Sequence, residues 1–261
     1  MSRFRRRLHQ TARAAARRLH PAVREVAFSL AARASDGPAL LPGPPPGPVL
    51  VIAPHPDDET IGCGGAIARH VDQGDAVTVL VATSGERTTG GAGDVAAVRE
   101  AECRAACAAL GLVESPVFVR FPDGALAEHV ESLAERIADH ARDASAIYVP
   151  SMLDPHRDHR AANVALARCG LETDVFGYEV WSPAPVDVVL DVSGVFIRKV
   201  QALRRYTTAL ETVDYVRICQ GLAAYRSAAG GLAGRGYAEG FMRLSGAEHA
   251  ALVAAQEAAG G

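Results

Sequence analysis

The stretch Val49-Leu-Val-Ile-Ala53, followed at once by Pro54-His-Pro-Asp-Asp-Glu59, decides how this chain is read. Five consecutive apolar residues are too few for a membrane span or a stable helix, and they match a strand buried on both faces. A strand apolar on both sides needs cover on both sides, which is the situation of a parallel sheet between layers of helices. The chain downstream repeats the pattern. A helix is expected at 61–73, a second strand at Val77–Thr83 (VTVLVAT), and a long Ala-rich helix at Val95–Leu110 stopped by Gly111. A strand at Val117–Phe121, a helix at 126–142, a strand at Ala146–Pro150, a helix at 160–168 and a strand at 175–180 follow. This alternation predicts an α/β fold, a doubly wound, mostly parallel sheet with helices on both faces. Helical patterns dominate the remainder, around 195–210 and 213–225, and no internal repeat is visible.

Upstream the composition changes. The first 24 residues carry eight Arg and no acid, whereas the whole chain of 261 residues has a net charge of −3. The remainder is therefore acidic, and no nucleic-acid partner is expected. Apolar residues from Phe4 to Leu30 recur at helical spacing, with Pro21 dividing the run. Residues 1–36 are read as a basic amphipathic helical extension. Its apolar stripe is expected to lie on the domain, the alternative being peripheral contact with a membrane surface. Gly37–Pro48 (GPALLPGPPPGP) reads as a stiff extended connector whose Pro and Gly forbid ladder pairing, and 49–261 as the catalytic domain. The five cysteines are scattered, which argues for a reducing compartment rather than a disulfide framework. Cys103 and Cys107 are taken as small core residues in preference to a metal pair. The N-terminus lacks an apolar core with a cleavage site, so no signal peptide is expected and the location is taken as cytoplasmic.

Two clusters carry chemistry, and each follows a predicted strand: APHPDDE at Ala53–Glu59 and DPHRDHR at 154–160. In a doubly wound sheet, loops beyond the carboxyl ends of different strands face one crevice. A catalytic zinc takes three His or carboxylate ligands and keeps one position open. His55, Asp58 and His159 supply that set. Asp57, beside a ligand but not one, is placed to accept the proton of a water acidified by the ion. Adjacent Asp side chains repel unless a cation is near. His156 is the candidate for stabilising an oxyanion, and Asp158 for fixing an imidazole tautomer. The competing structural readings are a solvated turn for HPDDE and a helix cap, with exposed histidines, for HRDH. The glycines of Gly62-Cys63-Gly64-Gly65 are read as allowing close helix–sheet approach rather than cradling phosphate.

The two motifs resemble those of the PIG-L/LmbE family of zinc-dependent de-N-acetylases, which pairs (A/P)HPDDE with a later HxDH on a Rossmann-like fold. SGE at Ser84–Glu86, VREAECRAACAALGL at 98–112, FPDG at 121–124, GYEVWSP at 177–183, Lys199 and YAEGF at 237–241 agree with it, so the resemblance covers about 49–244. It implies His55, Asp58 and His159 as zinc ligands, with Fe²⁺ acceptable to the same set. It implies Asp57 as general base, and His156 as stabiliser of the tetrahedral intermediate with Asp158 supporting it. Arg99 and Asp123 resemble positions that hold sugar hydroxyls. The expected activity is removal of the N-acetyl group from an N-acetylglucosamine-type conjugate. The alternatives are an amidase acting on a larger acyl group, a partner-docking module with an inactive site, and a Mg²⁺ phosphohydrolase, which two imidazoles disfavour. One departure stands out: some relatives carry a Tyr two residues before HxDH, where this chain has Asp154, leaving Tyr178 or another group to substitute.

Overall fold

The computed structural model describes Ala32, residues 37–87 and residues 95–260. The basic extension, apart from Ala32, lies outside the described residues. In chain order the elements are β1 (Ala39–Leu41), β2 (Val49–Ala53), α1 (Asp58–Gln73), β3 (Val77–Thr83), α2 (Val95–Leu110), β4 (Val117–Phe121), α3 (Val130–Ala141), β5 (Ala146–Pro150), α4 (Arg157–Arg168), β6 (Asp174–Tyr178), β7 (Val188–Asp191), α5 (Phe196–Leu203), α6 (Thr207–Leu210), α7 (Tyr215–Arg226), β8 (Ala238–Leu244) and α8 (Gly246–Gly260). A 3₁₀ turn, Leu126–Glu128, precedes α3.

The strands form one sheet in the order β1-β7-β8-β6-β5-β2-β3-β4. All pairs are parallel except those of β8, which runs antiparallel to both β6 and β7. The chain winds outward from β2 through β3 to β4, then returns to lay β5 on the other side of β2 (Val49 opposite Ala146) and β6 beyond it. The point where the winding reverses, between β2 and β5, is where a doubly wound sheet opens its crevice.

The all-apolar strands divide between two cores because side chains alternate along a strand. Val49, Val51, Ala53, Val77, Val79, Val81, Ala146 and Tyr148 pack on one face with Ile67, Cys103, Cys107 and Leu110. Leu50, Ile52, Leu80, Ala82, Ile147 and Val149 pack on the other with Leu133, Ile137, Ala162 and Leu166. Each fully buried Leu or Ile side chain contributes about 1.5–3 kcal/mol, which is why central strands carry no polar alternation.

Three expectations change. The connector does pair: Ala39–Leu41 joins the sheet edge beside β7, with Ala39 N–H donating to Asp187 O at 2.9 Å. These three residues contain no proline, and an edge strand needs partners on one side only. β7 and β8, in a region read as helical, are strands. The span 195–210 breaks into α5 and α6. Gly62 and Gly65 do permit close approach: a Cβ on Gly62 would stand 2.0 Å from Tyr178 Cδ2, and one on Gly65 2.7 Å from Val192 Cγ1. No helix among the described residues is long and apolar enough to cross a membrane.

Candidate metal centre

The loop after β2 is held by its neighbours. Thr83, at the end of β3, donates its N–H and its Oγ1 hydroxyl to Pro54 O, both at 3.0 Å. Asp57 then adopts φ 128°, a conformation a non-glycine residue rarely takes. Such strain persists only where surroundings impose it, and here they do so from two sides. Arg99 Nη2, from α2, donates to Pro56 O at 2.6 Å and to Asp57 Oδ2 at 3.2 Å. The Asp57 N–H donates to Glu59 Oε2 at 3.1 Å. Glu59 is wholly buried and also accepts hydrogen bonds from Thr60 Oγ1 and Tyr206 OH. The strain places Asp57 on the cavity side while Asp58 opens α1.

The loop after β5 brings the second cluster. Asp154 Oδ1 accepts the His156 N–H at 2.9 Å within the loop, and Oδ2 accepts the Trp181 N–H at 3.0 Å, which ties this loop to the one after β6. His156 Nδ1 then accepts the Asp158 N–H at 3.2 Å and caps α4, so the helix starts at Arg157, earlier than periodicity indicated. Asp158 and His159 in the first turn are fully buried, contrary to the reading of HRDH as an exposed cap.

The two loops converge. Asp58 Oδ2 lies 3.1 Å from His55 Nδ1 and 3.2 Å from His159 Nε2. His55, His156 and His159 each offer a ring nitrogen within 4.8 Å of the others. Carboxylates fix the rings from behind, as is usual for metal-binding histidines. Asp158 Oδ2 is 3.2 Å and Asp123 Oδ1 3.3 Å from His55 Nε2, and Asp154 Oδ1 is 3.2 Å from His159 Nδ1. Among the described residues both ring nitrogens of His159 are buried and meet only these carboxylates, outside good hydrogen-bond geometry. Burial acts against charge on this ring, but Asp58 and Asp154 outweigh it and hold the pKa up at about 9. Burial would raise Asp58, yet His159 and His55 hold it far below the usual carboxylate range. Two buried imidazoles sharing the Asp58 carboxylate, with Asp123 and Asp158 behind His55 and Asp154 behind His159, are a donor set suited to a divalent cation. Burial lifts Asp57 to about 7 against the opposing charge of Arg99, and its neighbour Asp58 raises it further. That is the range of a general base at neutral pH.

Residues 50–169 match the family model described as PIG-L, GlcNAc-PI de-N-acetylase. The matched segment is similar to the PIG-L family. It contains β2 to α4 and thus both loops of the centre. A 1D-myo-inositol 2-acetamido-2-deoxy-alpha-D-glucopyranoside deacetylase of Actinosynnema mirum is 39% identical over 77 residues, a match spanning 25% of this chain and only 27% of that relative. A protein of the same name from Mycobacterium sp. (strain JLS) is 26% identical over 66% of this chain and 77% of its own. Among solved structures, the conserved protein TT1542 of Thermus thermophilus superposes with a TM-score of 0.62 at 29% identity, covering 74% of this chain and 93% of its own. The N,N'-diacetylchitobiose deacetylase of Pyrococcus horikoshii gives 0.63 at 21% identity, covering 76% and 84%. The 4-carboxy-2-hydroxymuconate hydratase GalB of Pseudomonas putida gives 0.60 at 23%, covering 75% and 95%. A hydratase on the same fold means that the fold does not choose the chemistry, and the site must.

The residues that the resemblance singled out beyond the ligands have further contacts, and Arg99 and Asp123 both line the cavity over the centre. The Asp158 carboxylate reaches His55, and only its backbone N–H reaches His156. Arg99 is 2% exposed and braces Asp57, although among the described residues its Nε and Nη1 have no hydrogen-bond partner. Asp123 faces the His55 ring and accepts the Arg87 N–H at 3.0 Å. Tyr178 is not available as a substitute for the tyrosine that some members of that family carry, because its hydroxyl is buried and donates to Ile52 O at 2.8 Å. Tyr215 is the tyrosine that lines the cavity. Asp154, at the position of that missing tyrosine, orients His159 instead. A carboxylate two residues ahead of the His156–His159 motif was the signal for it.

A cavity of about 470 Å³ opens over the centre. His55, Asp57, Asp58 and His156 line it, together with Arg87, Arg157, Trp181 and Tyr215, which the motifs did not single out. Trp181 is 59% exposed and stacks on His156 with ring centroids 5.9 Å apart. Cys103, Cys107 and Glu59 form a second group close enough to share an ion. Glu59 is already satisfied by three hydrogen bonds, and both cysteines pack in the core.

Proposed function

We propose that this chain is a zinc-dependent hydrolase that removes the N-acetyl group from an N-acetylglucosamine-type sugar conjugate. The observation that carries the reading is the buried Asp58 carboxylate shared between the imidazoles of His55 and His159, each backed by a further carboxylate. The match to a de-N-acetylase family model and the names of its relatives support the substrate class. Two imidazoles and one carboxylate favour zinc over Mg²⁺, and Fe²⁺ accepts the same donors.

His55, Asp58 and His159 would hold the ion, which when bound acidifies a water and polarises the acetyl carbonyl. Asp57 takes the proton of the attacking water on its cavity side, while Arg99 keeps its other face fixed. The imidazole of His156, with Nδ1 engaged at the helix cap, points Nε2 to the cavity and stabilises the charge developing on the carbonyl oxygen. Asp57, once protonated, returns the proton to the departing amine. Trp181 offers an aromatic face to the sugar body.

The test is acetate release from a panel of N-acetylglucosamine conjugates, with metal content measured on the same samples. Asp57→Asn is expected to lower kcat by about 10²–10⁴-fold with bound metal unchanged. Metal-replete protein that releases no acetate from any conjugate would overturn the reading. Release of longer acyl groups in preference to acetate would favour the amidase alternative.

A further inference from the structure

Two guanidinium groups meet at the rim of the cavity. Arg87 leaves the loop after β3, Arg157 is the first residue of α4, and both line the cavity. Between them lies Gly124, in the loop after β4. A Cβ built there would stand 2.6 Å from Arg87 Nη1 and 2.6 Å from Arg157 Nη2. Both side chains therefore reach for the same point, and a glycine keeps that point open. Like charges so placed repel each other unless an anion lies between them. Arg87 Nη1 donates to a neutral acceptor, the Asp123 carbonyl oxygen at 3.3 Å. Among the described residues neither guanidinium pairs with a carboxylate. Elsewhere the chain neutralises comparable arginines: Arg120 with Glu100, Arg226 with Glu179 and Arg243 with Asp174.

The floor of the same cavity has the opposite character, with Asp57, Asp58 and Asp123 around the imidazoles. An anionic substituent is thus disfavoured beside Asp57 and favoured at the rim. Guanidinium forks match phosphate and carboxylate oxygens in pairs, which a single ammonium does not. We propose that Arg87 and Arg157 form an anion subsite that selects sugar conjugates bearing a phosphate ester or a carboxylate beyond the N-acetyl sugar. The acetamido group enters toward His55 and Asp57, the sugar lies against Trp181, and the anionic group sits over Gly124. This inference rests on the proposed deacetylase reading for the sugar but not for the anion.

Trp181 is the only tryptophan of the chain, so its fluorescence reports binding in the cavity without turnover. The experiment titrates methyl N-acetylglucosaminide, N-acetylglucosamine 1-phosphate, N-acetylglucosamine 6-phosphate and N-acetylmuramic acid into metal-loaded, full-length protein in the Asp57→Asn background. At least one anionic sugar is expected to bind about tenfold more tightly than the neutral glycoside in low salt, with the gap narrowing as salt is raised. In the R87Q/R157Q variant the gap should close while the neutral glycoside keeps its affinity. The phosphate and carboxylate arms show which anion the subsite takes. Equal affinity for neutral and anionic sugars in the parent would overturn the proposal. So would a gap that survives in R87Q/R157Q, which would place the anion on the metal. The two readings fail separately. Acetate release without an anion preference removes the subsite and keeps the deacetylase, whereas an Arg-dependent preference without acetate release from the wild-type enzyme does the reverse.

Discussion

Helix α1 is broken, and its break is filled by charge. Cys63 leaves helical geometry at φ −139°, which exposes a carbonyl on one side of the break and two N–H groups on the other. Lys199 Nζ, from α5, donates to Ile61 O at 2.8 Å and to Glu239 Oε1 at 2.5 Å. Glu239, from β8, accepts the N–H of Gly65 at 2.8 Å and of Ala66 at 2.7 Å. Both side chains are buried, at 2% and 4% exposure. Burial would lower the Lys199 pKa, but the Glu239 charge more than offsets it and holds the ammonium above its ordinary value. Replacing Lys199 by Met keeps the stem and removes the charge. Glu239 then remains a buried, uncompensated anion, which costs about 3–5 kcal/mol, and the Ile61 carbonyl keeps only the weak Cys219 thiol at 3.8 Å, a further ~1 kcal/mol. The expected loss is roughly 4–6 kcal/mol, a fall in Tm on the order of 10–20 °C for a domain of this size. Urea unfolding of the metal-free protein measures it. Because a neutral Gln still accepts an N–H, Lys199→Met/Glu239→Gln should recover at least about half of the loss. A single variant that loses under ~1 kcal/mol, or a double variant no more stable than the single, would refute the claim that the pair holds the break. The turn of α1 ahead of the break carries Asp58, so metal affinity should weaken in the single variant as well.

Three other outcomes follow from the same packing. Arg99→Gln removes the cation that opposes the rise of Asp57, so the base needs a higher pH to ionise; the ascending limb of kcat/KM against pH should move upward from its wild-type position, and an unmoved limb would refute the bracing role. His249, buried beside Asn163 Oδ1 at 2.9 Å, is pushed down by burial to about 4. An unfolded histidine titrates near 6.5, so between about 6.5 and 4 the unfolded chain takes up a proton that the folded chain refuses, and stability falls as pH falls, by up to about 3 kcal/mol. His249→Gln should flatten that segment of the curve of urea midpoint against pH, and an unchanged slope would discount it. Gly62→Ala places a methyl group on the Tyr178 ring and should cost ~2 kcal/mol or more, with weakened metal binding; thermal unfolding and metal titration read both, and a neutral result would mean that α1 shifts freely.

The parts legible from residues alone were those where local chemistry and tertiary role coincide. The strands Val49–Ala53, Val77–Thr83 and Ala146–Pro150 are buried, almost wholly apolar runs bounded by polar turns, and no other element suits such runs; the edge strand Val117–Phe121, with Arg120 exposed, is only half-buried. β8 escaped because Ala238–Leu244 carries Glu239, Gly240 and Arg243, and its strand state depends on pairing with β6 and β7 rather than on its own pattern. β1 escaped because its prolines flank the three residues that pair.

For the site, the two motifs announced which side chains carry metal-binding chemistry, because imidazoles and carboxylates at that spacing have few structural uses together. Their convergence was decided by β5 lying beside β2, a long-range pairing that no local signal encodes. The brace on Asp57 from Arg99 and the meeting of Arg87 with Arg157 over Gly124 likewise join residues remote in the chain, whereas Glu59 beside Asp57 and Asp154 behind His159 act within their own loops. The sequence by itself therefore determined the apolar periodicity of the elements and the inventory of reactive groups, since both are properties of short segments. Only the tertiary structure decided which of those groups share a cavity, which are buried enough to shift their protonation, and which charges are left without partners, because each of these depends on distances between segments remote in the chain.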